Sequence, residues 1–322
     1  MLKSEIFKKI LIFLFTLVGC EHFIWAQSLP MQVQEVAPNT YYVQGFSAVA
    51  SKENKNFISN AGFVVTSEGV VVIDALGSPY LANLLIDEIK KITPLPIKFV
   101  FLTHYHADHI YGLQAFKEIG VQVIAQERGL DYIYSDTAKL RLQSSQQTLD
   151  PWINAQTTIV HADQWFKDEK TINLGDTEFH LIHVGPAHTP EDTVVFIPKT
   201  GVLFAGDLVF SGRIPYVGNA DSAGWIASLD KLLKLPVKKI IPGHGSYAIN
   251  ANQDMLFTRN YLIYLRSAMR DAAINLDSFD EVYEKTDWSE YSGVKLFKQA
   301  NRMNAYNIYL SIFIKYFIMY YI

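Results

Sequence analysis

Apolar residues occur in short runs through the first part of the chain and then adopt a helical spacing. Residues 41–45, 61–66 and 70–75 are rich in β-branched and aromatic side chains and are separated by Asn and Gly. This pattern predicts a meander of strands with a hairpin turn at Glu68-Gly69. In residues 79–92 the apolar positions recur at the spacing of one helix face, which predicts a helix.

A short apolar run at residues 97–102 leads directly into the polar sequence THYHADH at 103–109. Helical spacing resumes in residues 110–119, and Gly120 is placed to end that helix. The polar sequence is therefore predicted to lie on a loop between a strand and a helix.

Three later apolar runs also end at polar residues: 178–184 before His188, 202–205 before Asp207, and 239–241 before His244. A rigid sheet fixes where its strands end, so the loops that follow them can share one cleft. We therefore expect an α/β protein in which four strand ends deliver all the candidate ligands.

The second half of the chain also carries amphipathic helical patterns at residues 225–235 and 258–273. No Gly/Ser-rich linker or charge block divides the chain, so residues 27–322 are predicted to form one domain with a helical extension from about 258. The closing residues 312–322 are unusually apolar. Either a disrupted terminus or a helix that faces a partner fits them, and the oligomeric state is left open.

Composition and charge narrow the range of partners. With 322 residues, 49% of them hydrophobic, the chain can bury a substantial core. The 28 basic and 32 acidic residues give a formal net charge of -4, which disfavours nucleic acid as a partner. Cys20 is the only cysteine, so internal disulfides are excluded and any metal ligand in the body of the chain is His, Asp or Glu.

The N-terminus has the features of an export signal. Lys3, Lys8 and Lys9 precede an apolar run at residues 10–18 that is short for a membrane span. Residues 1–26 are therefore predicted to be removed on export to the periplasm. Two cleavage sites fit: a lipobox that ends at Cys20, which would leave a membrane-anchored lipoprotein, or ordinary signal cleavage after residue 26.

The spacing of the polar sequence at 103–109 suits a pair of metal ions. His104 and His106 can point the same way from an extended segment. Asp108 and His109, at the turn into the helix, can reach a neighbouring position. Two adjacent metals would thereby receive different ligands.

These residues resemble the metallo-β-lactamase superfamily, and the resemblance extends over roughly residues 35–250. It implies an αββα sandwich with a zinc site at the edges of its sheets. It also implies one metal held by His104, His106 and His188, and a second held by Asp108, His109 and His244. Asp207 matches the bridging aspartate of the glyoxalase II and lactonase-like members.

The best-known lactamase branch of that superfamily has a cysteine at the position of Asp207. A bridging carboxylate favours two zinc ions, although iron and manganese also accept such ligands. Residues 206–210, 224–225 and 301–306 further resemble the quinoprotein relay system zinc metallohydrolases. Those are exported hydrolases related to the SoxH proteins of sulfur-oxidising systems.

Several further residues are candidates for supporting roles. Arg213, Tyr216 and Tyr105 are candidates for contact with the substrate, because a guanidinium group suits carboxylates and carbonyls and aromatic rings can wall a pocket. Thr189 and Asp192 could orient metal-bound imidazoles or, alternatively, cap a turn. No role is assigned to three other histidines, His161, His180 and His183.

The predicted function is hydrolysis of an ester, thioester, lactone or amide in a small-molecule substrate by a metal-activated water. In this mechanism Asp108 is the catalytic residue that orients the water. β-Lactam hydrolysis is the narrower alternative. A periplasmic metal-binding accessory protein of a quinoprotein or sulfur-oxidation system is the alternative without catalysis, because fold alone does not decide activity.

Overall fold

Two β-sheets form the centre of the protein, whose computed structural model describes Leu29 and residues 31–321. The predicted export signal and Cys20 lie outside the described residues. The first sheet has seven strands in sequence order: β1 (Val33–Ala37), β2 (Thr40–Val43), β3 (Ala61–Val65), β4 (Val70–Ile73), β5 (Ile97–Phe101), β6 (Gln122–Gln126) and β7 (Gln164–Phe166). Its pairing is antiparallel from β1 to β4 and parallel from β4 to β7.

The second sheet has five strands in the order β12-β11-β10-β9-β8. They are β8 (Glu169–Leu174), β9 (Thr177–His183), β10 (Thr193–Ile197), β11 (Val202–Phe210) and β12 (Lys239–His244). The pairing is antiparallel except between β11 and β12, which run parallel. All nine residues of β11 are buried, as expected for a strand covered on both faces.

Helices flank the two sheets. Those associated with the first half of the chain are α1 (Pro79–Ile92), α2 (Ala107–Ile110), α3 (Leu113–Glu118), α4 (Gly129–Ile133) and α5 (Asp136–Thr148). Those of the second half are α6 (Ser222–Leu232), α7 (Ala251–Asn275), α8 (Phe279–Lys285) and α9 (Phe297–Tyr321). The αββα arrangement with a helical C-terminal region is confirmed. None of these described helices combines the length and apolar character needed to cross a membrane.

One apolar core lies between the two sheets and a second lies under the C-terminal helices. Phe101 of β5 meets Phe179 of β9 edge to face, with ring centroids 5.6 Å apart. The second core packs Trp225 of α6 and Leu262 of α7 against Phe210 at the end of β11. The sheets are thereby held face to face, and their loops meet at a shared edge.

Residues 301–306 connect α9 to the rest of this second core. The buried amide of Asn304 accepts from the backbone N–H of Val217 and donates to the carbonyl of Pro215 and the hydroxyl of Tyr261. Tyr261 in turn donates to Asn301. Helix α9 is thus tied both to α7 and to the loop that follows β11.

Three predicted boundaries differ from the structure. Strand β11 does not end at residue 205 but continues through Asp207 to Phe210, with a register irregularity at Gly206. The predicted helix at 110–119 is interrupted: α2 ends at Ile110 and α3 begins at Leu113, because the Gly112 N–H donates to the Leu76 carbonyl at 3.1 Å instead of to the preceding helical turn. The C-terminal helical extension begins at Ala251 rather than near 258.

Candidate metal centre

Seven side chains from both sheets converge at one edge of the sandwich. The segment between β5 and α3 contributes four of them: His104, His106, Asp108 and His109. The other three are His188 from the loop between β9 and β10, Asp207 from within β11, and His244 from the end of β12. The predicted set is therefore brought together. Asp207 reaches the cluster from inside a strand, so the expectation that strand ends deliver every ligand is wrong for this residue.

The side chains form two groups. Within each group, the ligand atoms lie within 4.8 Å of one another. The first group is His104, His106, His188 and Asp207, and the second is Asp108, His109 and His244. Asp207 also joins the groups, since its Oδ2 lies 3.4 Å from His188 Nε2 and its Oδ1 lies 3.2 Å from His109 Nε2. This arrangement fits two neighbouring cations with a carboxylate between them.

The hydrogen-bonding state of the cluster fits bound metal. His104 Nε2, His109 Nε2 and Asp207 Oδ1 are buried and make no hydrogen bond with any residue that the structure describes. Buried polar atoms are normally satisfied, so unsatisfied atoms that point at one another need a common partner. Nitrogen and carboxylate oxygen donors in this number suit zinc, and also iron or manganese.

The histidines of the cluster differ in the direction in which their surroundings shift the pKa. Burial, reinforced by neighbouring imidazoles, holds the pKa of His104 well below its ordinary value. Burial also acts to lower the pKa of His109, but the carboxylates of Asp207, Asp108 and Asp74 outweigh it and raise that pKa well above the ordinary value. The carboxylates around His109 thus favour cationic charge at that ring, and a bound metal ion would supply this charge in place of a proton.

Hydrogen bonds on the outer side of the rings set the tautomers of three histidines. His109 Nδ1 donates to Asp74 Oδ2 at 2.9 Å, and His244 Nδ1 donates to the Ile58 carbonyl at 2.7 Å. The Thr103 hydroxyl donates to Asp74 Oδ2 at 2.8 Å and can therefore accept from His104 Nδ1 at 3.0 Å. All three rings accordingly present the Nε2 lone pair to the cluster.

Sequence reasoning missed Asp74 and Thr103. Asp74 follows the apolar run of β4 in a left-handed conformation with φ of 61°, and its Oδ1 accepts from the backbone N–H of Thr103 at 2.9 Å. Two features of the sequence could have indicated these residues. Asp74 is an acidic residue directly after a buried strand, and Thr103 directly precedes the histidine-rich sequence. Parallel pairing of β4 with β5 brings these two positions together.

Of the three substrate candidates, Arg213 and Tyr105 lie differently from expectation. The Arg213 guanidinium is buried and lies 3.3 Å from His244 Nδ1, so it contacts a ligand ring rather than open space. Tyr105 points away from its two histidine neighbours, is fully buried and stacks on Trp165. The expectation that Tyr105 contacts substrate is therefore wrong.

Tyr216 is the exposed member of the three candidates. Tyr216 is 43% exposed, while the residues on either side of it are hydrogen bonded to Asn304. Contact between Tyr216 and substrate stays a prediction.

Thr189 and Asp192 bond to each other rather than to an imidazole. The Thr189 hydroxyl donates to Asp192 Oδ1 at 2.7 Å and its backbone N–H donates to Oδ2 at 2.8 Å. This cap shapes the turn that carries His188, which is the second of the two roles considered for the pair.

The three histidines without an assigned role have contacts of their own. His180 pairs with Glu178, His183 bonds to the Pro190 carbonyl, and His161 meets the ring of Tyr134.

Comparisons with known proteins agree with this geometry. The family model described as the metallo-beta-lactamase superfamily matches residues 55–244. The metallo-beta-lactamase IND-1 of Chryseobacterium indologenes is 28% identical over 214 residues, which is 65% of this chain and 80% of that protein. A linear primary-alkylsulfatase of a Pseudomonas species is 25% identical over 233 residues, 62% of this chain, but this chain spans only 44% of its length.

Solved structures show the same fold. A metallo-beta-lactamase from Pontibacter korlensis has a TM-score of 0.57 and 23% identity, covering 72% of this chain and 98% of its own. A double mutant of the sec-alkyl sulfatase PisA1 has a TM-score of 0.68 and 18% identity, covering 87% of this chain and 50% of its own.

Removal of the Asp74 carboxylate is expected to weaken metal binding. Asp74→Ala leaves His109 free to rotate and Thr103 without its acceptor, so zinc affinity should fall by about 10- to 100-fold. Competition with a chromogenic chelator measures this, with Asp87→Ala at an exposed site as the control. Unchanged zinc affinity in a folded Asp74→Ala protein would refute this role.

Proposed function

Because the chain belongs to the metallo-beta-lactamase superfamily, we propose that this hydrolase binds two zinc ions and cleaves esters, thioesters, lactones or amides outside the cytoplasm. The position of Asp207 carries the dinuclear part of the proposal. Its carboxylate lies between the two ligand groups, 3.4 Å from His188 Nε2 of the first group and 3.2 Å from His109 Nε2 of the second. The two oxygens of one carboxylate can bind two cations at once.

Bound zinc would supply Lewis acidity and lower the pKa of a water molecule toward neutrality. Asp108 is the residue of the centre best placed to handle the proton. Its side chain is 17% exposed, whereas that of Asp207 is 4% exposed, and the Oδ2 of Asp108 lies 3.3 Å from His244 Nε2. Asp108 therefore borders the substrate side, where it can orient the attacking water and accept its proton.

The neighbouring residues keep the centre rigid and dry. Phe210 stacks parallel to the His244 ring with centroids 5.1 Å apart, and Trp225 packs edge-on against His188. The Ser59 hydroxyl donates to the backbone carbonyl of Asp108 at 2.5 Å and fixes the start of α2. Positioning of this kind lowers the cost of reaching the reactive geometry.

The ranking of substrate classes rests on the residue at position 207 and not on the relatives, several of which are named metallo-beta-lactamases. An aspartate at position 207 resembles the glyoxalase II and lactonase-like members more than the cysteine-containing lactamase branch, so acyl esters and thioesters rank above β-lactams. Sulfate-ester hydrolysis is the second candidate, supported by the 25% identical alkylsulfatase. A non-catalytic accessory role is the remaining alternative.

Export is part of the proposal and rests on the lysines and the apolar run before residue 20. We expect the mature protein to lack the first 19 or 26 residues. Mass spectrometry of protein from a periplasm-containing host decides between a diacylated Cys20 and a free N-terminus at Gln27. An intact Met1 in every compartment would contradict export.

Protein purified without chelator is expected to contain two metal ions per chain. Elemental analysis gives both the number and the identity of the metal, including iron and manganese. Asp207→Ala removes the residue shared by both groups, so the ratio should fall well below two, while His161→Ala, a histidine outside the centre, should leave it unchanged. A ratio of one with full activity would refute the dinuclear centre.

Turnover on a substrate panel tests the reaction. Zinc-loaded protein should hydrolyse small esters or thioesters with a higher kcat/KM than a chromogenic cephalosporin, lose activity with chelator and regain it with zinc. Asp108→Ala should remove most of the rate even where metal stays bound. A higher kcat/KM for the cephalosporin than for every ester, thioester and lactone would reverse the ranking, and alkyl sulfates test the second candidate. No turnover of any substrate would favour the accessory role.

A further inference from the structure

A cavity of about 980 Å³ lies among the helices of the second half of the chain. Its walls come from the start of α6, from the second half of α7 and from the last part of α9, and none of its lining residues belongs to the metal centre. Cavities of roughly 300 to 1,000 Å³ hold organic molecules in other proteins. A bare inorganic ion would leave most of this volume unfilled.

Three cationic side chains line the cavity: Arg266 and Arg270 from α7, and Lys315 from α9. The two arginines are four residues apart and therefore lie on the same face of their helix, where like charges repel. Among the residues that the structure describes, none of the three cations forms an ion pair with a carboxylate. The cavity thus gathers positive charge that the described part of the chain does not neutralise.

The other arginines of these two helices lie outside the cavity and are paired. Arg259 of α7 lies 2.6 Å from Asp230, and Arg302 of α9 lies 2.6 Å from Asp280. Contact with solvent accounts for any one unpaired cation on a surface. It gives no reason for three of them to share one cavity while the neighbouring arginines have carboxylate partners.

Arg266 is held in place at the wall of the cavity. Its side chain is partly buried, and its Nη1 donates to the hydroxyl of Ser222, a buried residue at the start of α6, at 2.7 Å. This bond uses one of the five N–H donors of the guanidinium group, so further donors remain for a ligand. A cation fixed between two helices is pre-organised to bind an anion.

Two carboxylates also line the cavity, Asp221 and Asp271. Asp221 is engaged as the cap of α6, because its Oδ1 accepts from the backbone N–H groups of Ala223 and Gly224. Three cations against two carboxylates leave the walls with net positive charge. The remaining charge of Asp271 opposes an anion, and its removal therefore has a predictable sign.

We propose that this cavity binds an organic anion. The charged group of the ligand contacts Arg266, Arg270 and Lys315, and its apolar part lies against Ile274 and Ile312, which line the same cavity. Charge-assisted hydrogen bonds hold the anionic end, while apolar contact selects for a hydrocarbon portion. The site shares no residue with the metal centre, so it does not rest on the proposed hydrolase function.

Calorimetric titration of the zinc-loaded full chain with three probes tests both parts of the ligand. The probe 1-octanesulfonate has a charged group and a hydrocarbon chain, methanesulfonate lacks the chain, and 1-octanol lacks the charge. Below its micelle concentration, 1-octanesulfonate should bind at one site per chain about 10-fold or more tightly than either of the others.

Variants of the cavity should change this affinity according to charge. Arg266→Gln should weaken binding of 1-octanesulfonate by about 10- to 100-fold, and Arg270→Gln and Lys315→Gln by about 3- to 10-fold each. Asp271→Asn should tighten it by about 2- to 5-fold. Arg259→Gln, on the same helix but outside the cavity, should keep the wild-type affinity. Because Arg270 and Lys315 are exposed, their variants should fold even where Arg266→Gln loses its contact with α6.

A metal-centre variant separates this cavity from a sulfonate that binds zinc. Asp207→Ala should lose metal but keep its affinity for 1-octanesulfonate. Loss of binding in Asp207→Ala, with wild-type affinity in Arg270→Gln and Lys315→Gln, would place the anion at the metal centre and overturn the proposal. Absence of binding to the wild type, or equal binding of 1-octanol, would overturn it as well.

Discussion

The buried carboxylate of Asp207 is the constraint on which the rest of the centre depends. An isolated buried charge costs on the order of several kcal/mol, so it needs close compensation. Burial acts to raise the pKa of Asp207, yet the imidazoles of His244 and His109 outweigh burial and hold it well below its ordinary value. Because these rings come from β12 and α2, compensating this charge requires both sheets to meet at this edge.

The backbone geometry near Asp207 also makes it possible for this carboxylate to be buried among its ligand neighbours. Gly206 has φ of 53°, in the left-handed region that favours glycine, and this kink in β11 lies where the strand pairs irregularly with β12. A Cβ at Gly243 would lie only 2.0 Å from Asp207 Oδ1. Gly243, which precedes His244, thus makes room for the carboxylate, whereas Gly206, which precedes Asp207, makes room for Thr103, whose side chain would lie 2.7 Å from a Cβ there. These contacts give a physical reason for the Gly-Asp and Gly-His pairs in the sequence.

The sequence predicted the ligands well because they are concentrated in one short motif and after apolar runs. It did not reveal Asp74 and Thr103 as partners, because their contact depends on the parallel pairing of β4 with β5, which no local pattern encodes. Alternation could have placed Tyr105 correctly: a residue between two histidines that point to the centre must point away from it. The extent of β11 was hidden by Gly206 and Asp207, which interrupt an otherwise apolar run.

Helices α4 and α5 were not predicted from the sequence, and for α5 the physical reason is different. Only Ala138 is buried in α5, so the helix has no apolar stripe for a periodicity argument to find. A helix held by so few apolar contacts is free to vary in sequence without loss of the core. The two sheets and the loops at their shared edge fix the metal ligands, whereas α5 contributes little to the apolar core. Proteins named for β-lactam and for alkyl sulfate substrates share this fold, so the fold that positions the ligands does not by itself fix the substrate.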